Sequence, residues 1–223
     1  MDVHTGDNWI IRHNLFRNIR APQGQLAGPA ILMWNASTNT LVDANTFVDC
    51  QREIALGLIE RTPNDHSGGI IRNNFVYRSP SVSADAAVLV ADSPNTHVLH
   101  NSILISGTYA NAIEYRFLQA SGLVIANNVL DGRIATRDGA TGAVSGNYTT
   151  ASAAMFVAPA SGDLHLKPTA TVVIDKVAAP LANAGLDWDG QPRPAGITDL
   201  GADEYGATGG TVPPAPQNLR IIR

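Results

Sequence analysis

Cysteine is almost absent from this chain. Cys50 stands alone in 223 residues, so no internal disulfide forms and cysteine usage does not reveal a redox compartment. A lone small thiol in an apolar setting reads as a buried residue at the end of a structural turn. Lysine is nearly as scarce, with two (Lys167 and Lys176) against 13 arginines. Charged residues make up only 15% and the formal net charge is −4, which leaves no basic footprint for nucleic acid. No apolar run approaches the ~18 residues that a membrane span requires. The N-terminus lacks the basic region and apolar core of an export signal.

What the chain does have is one short phrase written six times around an asparagine. The copies are Ile-Ile-Arg-His-Asn14-Leu-Phe, Leu-Val-Asp-Ala-Asn45-Thr-Phe, Ile-Ile-Arg-Asn-Asn74-Phe-Val, His-Val-Leu-His-Asn101-Ser-Ile, Leu-Val-Ile-Ala-Asn127-Asn-Val and Ala-Val-Ser-Gly-Asn147-Tyr-Thr. The central asparagines are 31, 29, 27, 26 and 20 residues apart, a period that belongs to solenoids. An apolar residue lies three before each (Ile11, Val42, Ile71, Val98, Val124, Val144). In all but the last copy another lies two after (Phe16, Phe47, Val76, Ile103, Val129). Such spacing suits a strand that turns a corner at the asparagine, its flanking apolar side chains entering one interior column. Stacked asparagines would form a ladder in which each amide donates to the next.

The phrase resembles the repeat of right-handed parallel β-helix proteins, the pectate-lyase-like superfamily, over roughly residues 1 to 150. That resemblance implies an all-β solenoid of about six coils with an irregular C-terminal cap. It also implies a secreted protein that acts on, or binds, an extracellular polysaccharide. The architecture carries lyases, hydrolases, esterases, epimerases and non-catalytic adhesins, so the fold does not choose among them.

A second apolar strand precedes each later asparagine phrase: Ala30–Trp34, Ile54–Leu58, Ala87–Ala91, Ala112–Phe117 and Arg133–Arg137. Near-continuous apolar runs of this kind suit a buried parallel sheet. Turn-forming clusters separate the strands, the longest loop running from Glu60 to Gly69. Two further loops, Arg20 to Gly28 and Ser79 to Asp85, bulge from another corner. Met1 opens directly on a strand-like segment, which suggests a piece of a longer protein or an end covered by another chain. The repeat fails after about residue 150, and residues 151–205 read as a last coil and a cap folded over the end. An acidic cluster there serves turns and cap, or a cation. Residues 206–223 read as a Pro- and Gly-rich linker followed by Gln217-Asn-Leu-Arg-Ile-Ile-Arg, which resembles the first strand of a truncated fibronectin type III domain.

Stacking turns sequence columns into neighbours about 4.8 Å apart. The column two before the asparagine, Arg12, Asp43, Arg72, Leu99, Ile125, reads as a surface ladder of ion pairs. The column one before it holds His13 and His100, three coils apart and too distant to share a metal. The second strand is richer in chemistry. Alternation puts Glu114 and Arg116 on one face, with Ala135 and Arg137 in the matching places of the next coil, so Arg116 would stack on Arg137. Two guanidiniums so close need a carboxylate between them, which Glu114, Asp138 or an acidic substrate would supply. Asp92, Glu60, Arg61 and His66 lie on neighbouring strand ends or the long loop, and Trp34 offers an aromatic platform further back.

These residues define the candidate site: Glu60, His66, Asp92, Glu114, Arg116 and Arg137 for catalysis, and Trp34, Arg61 and Tyr115 for substrate. A polysaccharide lyase is favoured over a glycoside hydrolase. In the lyase, Arg116 and Arg137 neutralise a uronic carboxylate, Glu60 and Asp92 hold Ca²⁺, and Arg, His66 or Tyr115 is the base. A lysine base is unavailable, since both lysines fall in the cap. An inverting hydrolase would use two carboxylates from Glu60, Asp92 and Glu114. The Asn-Thr-Asp, Asp-Asp and Gly-His-Gly motifs of polygalacturonases are missing. The other reading is a non-catalytic glycan-binding or adhesin-like module, to be preferred if these side chains are individually paired rather than convergent.

Overall fold

The computed structural model describes residues 1–22 and 24–207. The linker tail and the fibronectin-like segment expected at 208–223 lie outside the described residues. The chain winds as a parallel β-solenoid of about 5 turns with three stacked sheets. The first sheet holds Asp2–His4, Ile31–Trp34, Ile54–Leu56, Val88–Ala91, Asn111–Arg116 and Arg133–Arg137. The second holds Ile10–Arg12, Leu41–Asp43, Ile70–Arg72, His97–Leu99, Leu123–Ala126 and Gly142–Ser145. The third holds Leu15–Arg17, Thr46–Val48, Phe75–Tyr77, Ser102–Leu104 and Val129–Leu130. Six asparagines enclose five intervals, which is why counting asparagines overstates the number of turns.

The interior column runs Ile11, Val42, Ile71, Val98 and Ile125, each at most 3% exposed. Beside it Phe16 stacks on Phe47 with ring centroids 4.9 Å apart. Truncating a side chain as buried as Phe47 to alanine costs about 3–5 kcal/mol.

The asparagine ladder is present, displaced by one residue in its fifth rung. Nδ2 of Asn14, Asn45, Asn74, Asn101 and Asn128 each donates to Oδ1 of the next, the last acceptor being Asn147, at 3.0, 3.1, 2.9, 2.9 and 2.8 Å. The same Oδ1 atoms also accept the preceding backbone N–H, as Asn101 Oδ1 does from Asn74 N. The rung is Asn128 and not Asn127, because Ile125 must fill the interior column while Val124 faces out. The residue before each rung has left-handed backbone: His13, Ala44, Asn73, His100 and Asn127 have φ of 54°, 52°, 54°, 50° and 59°. Asn127 therefore makes the turn, and its amide meets His100 Nε2 at 3.1 Å. Left-handed backbone costs a non-glycine residue about 1–2 kcal/mol; the ladder offsets that cost by satisfying every amide that the corner buries.

The C-terminal segment lies along the outer face of the third sheet instead of folding over the last coil. Phe75, Leu104 and Val129 point outward there and form a second core with Met155, Phe156, Leu164, Leu166, Val173 and Leu200. The last strand, Gly142–Ser145, is exposed throughout, Val144 included. Polar anchors fix the segment: Arg72 Nη1 donates to Asn183 O at 2.9 Å, Asn73 Nδ2 to Ala184 O at 2.7 Å, and Ala202 N to Ser102 Oγ at 3.0 Å.

Candidate functional site

Strict alternation along the first sheet divides its side chains. Met33, Leu56, Val90 and Tyr115 share a register and face the interior, all at most 7% exposed. Leu32, Ala55, Leu89, Glu114 and Ala135 face out in one column. Arg116 and Arg137 follow in the next, paired in register. Tyr115 is therefore a core residue and neither binds substrate nor acts as a base. Its neighbours Glu114 and Arg116 can face out only because it faces in.

Over the outward columns lies a groove of about 180 Å³, walled by Arg52, Leu58, Asp85, Tyr109, Arg116 and Arg137 and floored by Ala55, Leu89 and Glu114. It is smaller than the about 300–1,000 Å³ of drug-sized pockets, a scale that suits a short saccharide unit. Each charge in or beside it has a partner. Arg137 Nη1 donates to Glu114 Oε2 at 3.2 Å, and Asn111 Nδ2 donates to Glu114 Oε1 at 2.6 Å. Arg116 Nε donates to Asp138 Oδ2 at 2.9 Å, its guanidinium lying 4.5 Å from the Phe117 ring centroid. Arg52 donates through Nε and Nη2 to Asp85 Oδ2 at 3.1 and 2.9 Å. Burial, then the nearby Glu114 carboxylate, push the Tyr109 hydroxyl pKa up. Both arginines on the strands thus found the carboxylates that their stacking demanded.

The remaining expected residues do not converge there. Asp92 is fully buried, and its carboxylate accepts Arg61 N at 2.7 Å, Asp65 N at 3.0 Å and Asn64 Nδ2 at 3.2 Å. Both its oxygens hold the long loop, while Glu60 lies exposed on that loop. Asp65 does the same work, accepting Leu58 N at 2.7 Å, Asn35 N at 2.8 Å and Arg61 Nε at 2.8 Å. Burial opposes its ionisation, but the Arg61 guanidinium and these backbone donors outweigh burial and hold its pKa below the usual carboxylate range. Gly57 starts the loop with φ +73°, where a Cβ would sit 1.7 Å from Ala91 O. His66 is fully buried between Ser93 Oγ at 2.8 Å and Thr40 Oγ1 at 3.0 Å. Burial lowers its pKa to about 4, against an opposing pull from Asp65, and with both ring nitrogens engaged inside the coil it is a structural residue. Trp34 faces out beyond the groove, with Nε1 donating to Asp2 Oδ1 at 2.8 Å, His4 on its edge at 4.6 Å and the Arg61 guanidinium 6.0 Å from its ring centroid.

No family model, curated protein or solved structure matches this chain. Function is therefore argued from the groove's own chemistry. Sequence reasoning missed Arg52, Asp85 and Tyr109. Asp85 closes a loop already noticed for its length; Arg52 and Tyr109 carry no repeat signal.

A second charged cluster sits on the flank. His165, Asp189 and Asp203 bring a nitrogen and two carboxylate oxygens within 4.8 Å, the one grouping of metal-ligand type among the described residues. Its imidazole is already held at both nitrogens, by Asp163 Oδ1 at 2.6 Å and Asp189 Oδ2 at 3.0 Å. Burial disfavours the imidazolium, but these carboxylates outweigh it and raise the His165 pKa to about 9. With Phe75 stacked on Trp188 at 4.7 Å and His165 edge-on to both, the cluster fastens the segment to the third sheet.

Proposed function

We propose that this protein is a non-catalytic glycan-binding solenoid, and that the groove over the first sheet is its binding face. The observation that carries this reading is the pairing of every charged side chain that lines the groove. Glu114 and Asp85 each hold an arginine, so neither is free to turn toward a scissile bond. Arg116 and Arg137, the arginines that would act as base, are held in the same way by Asp138 and Glu114. Paired guanidiniums and carboxylates instead present fixed N–H donors and oxygen acceptors above an apolar floor, as sugar recognition requires. Such ligands are met outside the cell, which is the location this reading assigns. The cleaving alternative, lyase or hydrolase, needs an unpaired acid or base in the groove. Incubation with immobilised polysaccharides, with and without Ca²⁺, tests the choice. Retention without unsaturated or reducing product is expected, and Leu89→Arg, which fills the groove from its floor, should abolish retention while far-ultraviolet circular dichroism stays unchanged. Product release, or retention that survives Leu89→Arg, would refute the proposal.

A further inference from the structure

Resting on the groove as a saccharide site, we infer that its ligand is uncharged, a neutral polysaccharide segment and not a uronic or sulfated one. Three arginines and three carboxylates meet at the groove in one-to-one pairs, Arg52 with Asp85, Arg116 with Asp138 and Arg137 with Glu114, so no cation is left over to balance an anion. The decisive residue is Glu114. Its side chain is 4% exposed and cannot turn to water, and Arg137 is its one cationic partner among the described residues. An incoming carboxylate that drew Arg137 away would leave Glu114 buried without a cation, a costly outcome. One that did not would lie against Glu114 in a cleft that screens charge poorly.

Hydroxyl groups face neither penalty. The Arg137–Glu114 contact uses Nη1 alone, so the other guanidinium N–H groups remain to donate to sugar oxygens. Asp85 Oδ1 accepts Ala86 N at 2.8 Å, and Asp85 Oδ2 takes both Arg52 contacts, which leaves carboxylate lone pairs for hydroxyl donors. Tyr109, kept neutral by burial and by Glu114, to which its O–H donates, adds a phenolic oxygen that accepts. Leu58 and Leu89 provide the apolar surface on which a sugar's C–H face rests. Glu114 thus acts as a specificity determinant by excluding anions.

Affinity electrophoresis in gels containing either a neutral galactan or polygalacturonate tests this, at low and high salt. The protein should be retarded by the galactan, with little salt dependence, and pass polygalacturonate freely. Glu114→Gln, which keeps the shape and the Asn111 contact, should gain polygalacturonate affinity by about tenfold, and that gain should vanish at high salt. Asp138→Asn frees Arg116 without touching the interior and should shift preference the same way, which keeps the test valid if Glu114→Gln does not fold. Wild-type retention by polygalacturonate as strong as by galactan would overturn the inference and leave the glycan reading standing. Retention by neither would overturn both.

Discussion

The asparagine corner and the outer face of the first sheet are built from the same coils under opposite rules. At the corner every coil presents the same side chain in the same geometry, and Asn45, Asn74, Asn101 and Asn128 are at most 1% exposed. On the outer face successive coils present Leu32, Ala55, Leu89, Glu114 and Ala135, five different surfaces on one backbone register. The difference follows from what an error costs. A missing corner amide strands several buried donors and acceptors, whereas the outward positions carry no shared hydrogen-bond ladder to break. Repetition is enforced where the buried amides interlock and relaxed on the outer face of the first sheet.

Asn74→Ala should break this comparison most severely. It removes the acceptor of Asn45 N and Asn45 Nδ2, and the donor to Asn101 Oδ1 and Val42 O. A loss of about 3–5 kcal/mol in denaturant unfolding is expected, two or more buried groups being left unpaired. The flank responds to pH next. The folded-state pKa of His165 lies above its ordinary value, so its contribution is complete below about 6.5 and is lost as pH rises through about 9. His100, buried beneath the flank, has the opposite sign. Burial, then Arg193, lower its pKa to about 3, so its contribution is present above about 6.5 and fades as pH falls. NMR of the His165 ring and Trp188 indole should show the segment docked near neutrality and loosening first in alkali. Arg137→Ala takes the one cationic partner from the buried Glu114 carboxylate and should cost about 2–3 kcal/mol of stability while weakening glycan retention. Smallest is Ala44→Gly at the left-handed corner position, expected to change stability by no more than about 1 kcal/mol and in the stabilising direction.

Repetition also governed what could be read from the sequence. Spacing alone revealed the ladder and its interior columns through the fourth copy, the fifth placing Val124 and Val129 inside where Ile125 and Leu130 lie, and alternation alone placed Arg116 opposite Arg137 with Glu114 and Asp138 near them. The fifth rung was misassigned because two asparagines adjoin and either fits the spacing. Only the register of Ile125 with Val98 separates ladder residue from turn residue. Tyr115 was misplaced although the alternation that put Glu114 outside already put it inside. Asp92 and His66 were misread for a different reason. A carboxylate that holds a loop and a histidine between two hydroxyls look like catalytic residues until their partners, from another coil, are known. The flank could not be foreseen, because nothing in residues 151–205 announces that the outward Phe75, Leu104 and Val129 need covering.

The central claim, that ligand binding belongs to the irregular face and structure to the repetitive corner, is tested most directly by backbone amide NMR during titration with a retained neutral oligosaccharide. Perturbations should cluster at Tyr109, Glu114, Arg116 and Arg137 and leave the asparagine rungs unmoved. Shifts centred on the ladder, on the Trp34 and His4 surface, or on the C-terminal flank would contradict it.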